Sequence, residues 1–525
     1  MPMTEPSQSL NGLLDQRKSS DAAHTKNIEQ KCRTPTVGIV KLISPCYPAE
    51  SPYNPSEIYP EYPFSGLISA EQNYVYDGVR KLFFELGLDR EHWGTSGWNP
   101  LEYIVKPGMT VVIKPNFVLS RHAENKNIFS IITHPSVLRA VADYCWIALK
   151  GSGKIIIADA PQYNCNFSEL QAVTNLDKIC DLYHCFAGPQ THFFDLRDYW
   201  SETRHFPSCV RKLPGDPKGN ITVNLGSKSA LFNHPNPRKF YGAVYHRTEL
   251  IGHHISNVQE YQLSRTILEA DVIISIPKLK VHKKVGVTLN AKGLVGICTN
   301  KNLLLHYTLG PPSKGGDQYP DGLFSDAEEM LIRLERWMYD NLLARRNRLL
   351  EYVHRTAYWL HHNFIKPFGW TVAKEKRLLD TGNWYGNDSA WRMAADLLKI
   401  IYFADKEGRL HDTPQRRLFS VIDGVIGGEN KGPLVPDPKN AGVLLAGDNF
   451  LAVDIVATRL MGFDPLKLRL YSNALKDSEF NCGIDSIENI KVVCADKRWK
   501  NCLVDKTSRF LDFTPYPGWV GQIEI

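Results

Sequence analysis

No CxxC pair occurs anywhere in the 525 residues, and the eleven cysteines are scattered. The closest pair, Cys180 and Cys185, has neither zinc-finger nor ferredoxin spacing, so no iron–sulfur cluster is expected. The N-terminus lacks the apolar stretch of a signal peptide, and no uninterrupted apolar run approaches the roughly eighteen residues of a membrane span. These absences fit a cytoplasmic protein with reduced thiols and no transmembrane span. GxxxxGK[ST] and GxGxxG are both missing, which excludes a Walker loop and a Rossmann dinucleotide fingerprint. Charge is also slight. The net value of +6, from 62 basic and 56 acidic residues, is too weak to argue for nucleic acid as a partner.

What is present is a series of short runs rich in Val and Ile: 36–42, 110–116, 154–161, 270–278, 418–424, 442–448 and 490–496. Apolar runs of this length suit strands buried on both faces. Helical patterns separate several of them, at 71–87, 133–150 and 382–403. In the second, Thr133 is the expected cap and Pro135 suits the first turn. Alternating strand and helix predicts an α/β fold, with a largely parallel or mixed sheet, flanking helices and a helical insertion. Residues 1–35 read as a disordered tail, 36–320 and 376–525 as the α/β domain, and 321–375 as the insertion. The insertion is basic and aromatic, with Arg333, Arg336, Trp337, Arg345, Arg346, Arg348 and Trp359. A packed helix whose arginine stems cover apolar surface accounts for it, and so does a membrane-surface or partner helix. A nucleic-acid role for 333–355 needs an exposed arginine stripe.

Several strand runs end in a charge: Lys114, Asp159, Lys278, Asp423 and Asp448. In open parallel sheets, ligands sit beyond the carboxyl ends of the strands, so these charges can share one crevice. Each taken singly can also mark a strand leaving for water. "ISIPKLKVHKKVGVTLNAKG" (274–293) is the densest case. After Pro277, which is expected to stop regular pairing, Lys278, Lys280, His282 and Lys284 share parity and hence one face of an extended chain. Four cations on one face need full solvation or an anion. Gly286, Ala291, Gly293 and Gly296 follow, small enough for backbone N–H groups to approach a ligand, and a helix starting there would add its positive end.

Two further stretches are suggestive. "NKNLLLHYTLGPPSKGGDQYPDG" (300–322) carries His306 in an expected loop, as a functional residue or as an ordinary loop histidine. "DGVIGGENKGPL" (423–434) surrounds Asp423 and Glu429 with glycine turns, which suits a cation site, proton acceptance or merely a demanding turn. The resulting expectation is an enzyme for a small anionic molecule bearing carboxylate or phosphate, acting by proton transfer. Lys114, Asn116, Lys278, Lys280 and Lys292 bind the anion, and His282 or His306 transfers the proton, with Asp159 orienting. Asp423, Glu429 and His306 are the candidates for holding a divalent metal. The rival expectation is a non-catalytic binding protein for an anionic metabolite or a protein partner.

In order, "VVIKPNFV", "THPSVLRAV", "IIIADAP", "ADVIISIPKLKVHKKVGVTLNAKGLVGI", "HYTLGPPSKGGDQYP", "GNWYGNDSAWRM" and "DGVIGGENKGPL" resemble the domain of unknown function 362 family over about 110–465. The resemblance implies a shared fold and supplies no agreed reaction. Some members add ferredoxin-type cysteine clusters, which this chain lacks. A more distant resemblance is to the N-terminal domain of nickel-pincer lactate racemases, through Ala270-Asp271, Ile274-Ser275, His282, Gly286, Lys292 and His306. It implies His282 as a proton-transfer base, Lys292 as the cofactor anchor and His306 as the nickel ligand. The surrounding glycine pattern departs from that family, so ancestry of the core is carried over and the pincer cofactor is not.

Overall fold

The computed structural model describes residues 34–201, 210–242, 247–338 and 373–525, together with 340, 341, 349, 352, 353 and 356. The expected tail up to residue 33, and 342–348 and 357–372 of the expected insertion, lie outside the described residues.

The expected strands form one mixed sheet. Its members in chain order are β1 (Thr36–Lys41), β2 (Thr110–Pro115), β3 (Lys154–Asp159) and β4 (Gln190–Asp195). A strand outside this sheet, β5 (Phe240–Gly242), comes next. Then follow β6 (Val272–Ile276), β7 (Lys278–His282) and β8 (Gly286–Val287). β9 (Leu305–Thr308) pairs with β5, and β10 (Arg417–Glu429), β11 (Asp437–Gly447) and β12 (Lys491–Cys494) complete the main sheet. The spatial order is β12-β1-β11-β10-β6-β2-β3-β4. The run from β10 to β4 is parallel throughout, while β11 is antiparallel to both of its neighbours.

Alternation along each strand divides the core in two. Val111 and Ile113 face one side with Ile155, Ile157, Val272 and Ile274, under helices α1 (Tyr74–Glu85) and α2 (Pro135–Leu149). Val112, Ile156 and Ile273 face the other side. That face also takes the short helix α3 (Leu289–Gly293) and the helices α5 (Ala390–Phe403) and α6 (Phe450–Leu460). α4 (Asp326–Met338) lies between α3 and α5 in the chain.

Three local expectations need correction. Thr133 does not cap α2. His134 does, accepting from Ser136 N, while the Thr133 hydroxyl donates to Ile276 O at 2.6 Å. Pro277 divides β6 from β7 but does not end the pairing. β10 is long enough to take both, with Val272 to Ser275 against its first half and Lys278 opposite Asp423. The glycines of 424–428 form no ligand-facing turn, because β10 continues through them to Glu429. A Cβ at Gly427 would lie 2.5 Å from the Phe513 ring, and one at Gly428 would lie 2.5 Å from Ser130 O. Their smallness admits other parts of the chain.

Candidate functional site

Beyond the carboxyl ends of β2, β3 and β7 lies a cavity of about 480 Å³. It is lined by Asn116, Asp159, Gln162, Lys280, His282, Lys283, Lys284, Thr288, Lys292, Gly296, Lys301 and His306, and by Glu335, Arg336, Arg377 and Asp380. Of the predicted strand-end residues, Asp159 lines this cavity and Lys114 pairs with it, whereas Lys278 and Asp423 lie outside the lining and Asp448 lies at the opposite end of the sheet, beside Thr36 and Lys106. The charges at and near the cavity divide into three environments.

Two pairs neutralise each other in the interior. Lys278 Nζ lies 2.9 Å from Asp423 Oδ2, and both are fully buried. Tyr47 OH donates to Asp423 Oδ1 at 2.7 Å, and His134 N donates to Oδ2 at 2.9 Å. Asp423 sits in mid-strand rather than at a strand end, and both of its carboxylate oxygens are already bonded. Lys278 is likewise committed and lies outside the cavity lining. Lys114 Nζ lies 3.0 Å from Asp159 Oδ1 and donates to Pro115 O, while Asp159 Oδ2 accepts from Phe117 N at 2.7 Å. Burial raises the Asp159 carboxyl above its ordinary range, and Lys114 and Lys301 oppose that rise. Gly296 covers this second pair. A Cβ there would stand 1.9 Å from Asp159 Oδ1 and 2.7 Å from Lys114 Nζ. Gly296→Ala is therefore expected to destabilise the fold by about 1–3 kcal/mol through overpacking, read as a lower urea midpoint.

Glu429 belongs elsewhere, accepting from Lys439 Nζ at 3.0 Å and from Thr514 N at 2.9 Å. The structure does not bring Asp423, Glu429 and His306 together. Among the described residues, no three His, Cys, Asp or Glu side chains are gathered as a metal would require. The donor set at His306 therefore does not fit a metal centre.

The third environment is the cavity wall. Lys280 Nζ donates to Ile131 O at 2.6 Å and to Pro433 O at 3.3 Å, Lys301 Nζ donates to Val295 O at 2.7 Å, and Lys284 Nζ donates to Thr381 O. Lys292 Nζ has no hydrogen bond or ion pair among the described residues, although the side chain is only 6% exposed. It is held in place by α3, whose backbone is fixed from below. Asp454 on α6 accepts from Asn290 N at 2.8 Å and from Ala291 N at 2.9 Å. The positive end of α3, expected to face a ligand, is thus occupied by this carboxylate, which burial lifts to about 7. Leu289, in the left-handed region at φ +44°, opens the helix. A bulky residue is costly there and is retained only where its surroundings fix it.

Crowded cations in a poorly solvated wall lose protons. Burial and then Lys301 bring Lys292 down to about 7, and burial brings Lys301 to about 8. Both values lie below the ordinary 10.5, so between them the unfolded chain binds more protons than the folded one. Folding stability should then rise with pH from about 7 toward 9, where unfolded thiols begin to ionise and buried ones such as Cys298 do not. Urea midpoints should show the rise, and a fall across that interval would contradict uncharged burial of these amines.

The two histidines are held in opposite tautomers. His282 Nδ1 accepts from Lys284 N at 3.0 Å, so a neutral ring carries its proton on Nε2. His306 Nδ1 lies 2.8 Å from Leu304 O, a pure acceptor, so its proton is on Nδ1 and Nε2 offers a lone pair. Burial, then the charge of Lys292, holds both well below the usual histidine range. His306 lies on β9 rather than in the expected loop, and its neighbour Tyr307 lines the cavity beside it.

Among the described residues, four of the thirteen buried side-chain polar atoms without a hydrogen-bond partner line this cavity. Gln162 Oε1, Thr288 Oγ1 and Arg336 Nε are buried and unbonded, and Asp159 Oδ1 meets Lys114 without hydrogen-bond geometry. Buried polar groups are almost always paired, so such a group of exceptions along one cavity calls for an explanation. Arg336 on α4 reaches Asp380 at 3.5 Å and lies over the Tyr241 and Tyr307 rings. Sequence reasoning placed this arginine in the insertion without linking it to the site, and it missed Lys301, Arg377 and Asp380 altogether. The arginine density of 333–348 was the available signal. Of the other expected insertion arginines, Arg333 is exposed and paired with Glu329. Four large apolar side chains on α4 are exposed as well: Met330, Leu331, Leu334 and Trp337.

Residues 228–459 match the family described as "Domain of unknown function (DUF362)". That stretch is similar to the family. It contains β5 to β11, α3 to α5 and all but the last residue of α6, and hence every cavity lysine and both histidines. β1 to β4, with Asn116, Asp159 and Gln162, lie before it, so the match begins later than the resemblance over 110–465 suggested. No curated protein and no solved structure matches the chain, and the likeness to nickel-pincer racemases gains no support from either comparison. No described helix is long and apolar enough to cross a membrane.

Proposed function

We propose that this cavity binds a small organic anion, bearing carboxylate or phosphate, and that His306 and His282 move a proton on it. One observation carries the reading. Lys292, with no partner among the described residues, lines one cavity with three orphaned polar atoms and with two histidines whose tautomers offer one lone pair and one N–H. An anion supplies the missing partner. It restores charge to Lys292, and it gives Arg336 Nε and Thr288 Oγ1 an acceptor. His306 Nε2 then acts as base and His282 Nε2–H as acid, or as hydrogen-bond donor to developing negative charge. Lys280, Lys284 and Lys301 are already bonded to carbonyls, so they shape the positive field rather than grip the ligand.

The test is in two steps. A panel of small carboxylates and phosphate esters is screened for binding by calorimetry. Bound carboxylates are then incubated in heavy water and analysed for deuterium at carbon. Exchange should fall on the order of 100-fold or more in His306→Asn, the range a positioned general base contributes, while binding persists. Binding without any exchange would instead favour a non-catalytic binding protein.

A further inference from the structure

We propose that Lys292 is a nucleophile that forms an iminium with a carbonyl-bearing organic acid, which makes oxo acids the substrate class of this cavity. The inference rests on the proton-transfer reading above and names its substrate.

Geometry leads to it first. A lysine that only grips an anion is served by full charge and by partners that hold it. Lys292 has neither. It lines the cavity together with Lys280, His282, Lys284, Lys301 and His306, and among the described residues no carboxylate pairs with it. A desolvated amine beside a second cation is the arrangement that frees a lysine lone pair near neutral pH. The amine value near 7 agrees with this placement.

The surroundings also provide for the proton movements. The Lys292 lone pair attacks the carbonyl carbon. The C–N bond forms and the C=O π pair moves to oxygen, where His282 Nε2–H donates a hydrogen bond. His306 Nε2 takes a proton from the new ammonium and returns it to that oxygen. The nitrogen lone pair then expels the hydroxyl, which leaves as water with one further proton from solvent. The balance is amine, carbonyl compound and one proton giving a protonated iminium and water. The iminium is an electron sink for the adjacent C–H bond, whose proton His306 Nε2 is placed to accept.

Charge selects the acid. The iminium restores a fixed positive charge beside Lys301, which a neutral aldehyde or ketone leaves uncompensated. A carboxylate on the same molecule offsets it and pairs with Arg336 Nε and Thr288 Oγ1, the atoms left without partners.

The full chain is incubated with pyruvate or 2-oxoglutarate and cyanoborohydride, and the reduced adduct is located by peptide mapping. A single adduct on Lys292, with a yield that rises as pH passes through about 7, is the expected result. Lys292→Arg should lose it. Mapping on the unaltered protein makes the assignment even if that variant fails to fold. Adducts spread over surface lysines, or none while calorimetry still detects oxo-acid binding, overturn the iminium and leave the anion-binding reading standing. Absence of both adduct and binding by any anion overturns both.

Discussion

Replacing Asp423 with alanine is expected to cost about 3–5 kcal/mol of folding stability, because it leaves the Lys278 ammonium buried without its counter-charge. The neighbours make the loss severe. Lys278 Nζ, Tyr47 OH and His134 N all bond to this carboxylate, at 2.9, 2.7 and 2.9 Å. Tyr47 also stacks on the His134 ring with centroids 3.9 Å apart, so the loop holding it depends on the same anchor. A double variant, Asp423→Leu with Lys278→Met, should recover most of the loss, since an apolar pair of similar volume often replaces a buried ion pair at little cost. Urea unfolding of the three proteins checks this. A single-variant cost under about 1 kcal/mol would mean that the pair is solvated, against the burial described.

Lys292→Met should behave in the opposite way. Among the described residues no group bonds to this amine, so its loss removes a desolvation penalty without orphaning a neighbour. The variant is expected to be at least as stable as the parent at pH 7, with the difference shrinking as pH rises and the parent amine no longer resists neutrality. Anion affinity should fall by about 2–5 kcal/mol, on the order of 30- to 1,000-fold or more, the cost of truncating one member of a buried charge pair. Unchanged affinity in a well-folded variant would remove Lys292 from the site.

The contrast between these two lysines explains how much could be read from the chain. The mixed α/β sheet was legible because its strands are continuous apolar runs and its helices carry a 3.6-residue period. Runs at 110–116, 154–161 and 270–278 became three adjacent parallel strands. The gathering of charge near their carboxyl ends was legible for the same reason, since parallel strands deliver their ends to one edge. Which charges were neutralised was not. Lys278 and Lys280 look alike in sequence, yet one meets Asp423 on β10 and the other meets carbonyls, a difference set by register with residues about 150 positions away. Parity suggested a single cationic face, but a register shift against β10, from Asp423 opposite Lys278 to Gly428 opposite Lys280, sends the side chains to different neighbours. Arg336, Arg377 and Asp380 were invisible as site residues because they reach the cavity from helical segments, where no strand pattern points. The glycines of β10 misled because small residues serve close packing as readily as ligand approach.

Proton uptake on anion binding tests the central claim most directly. Calorimetric titration of the full chain with pyruvate or phosphate near pH 7, in two buffers of different ionisation enthalpy, counts the protons taken up per ligand bound. Filling the cavity should recharge Lys292, whose free value near 7 leaves it about half protonated, so a net uptake of roughly half a proton that disappears in Lys292→Met is the predicted result. Binding with no proton uptake in either protein would contradict it.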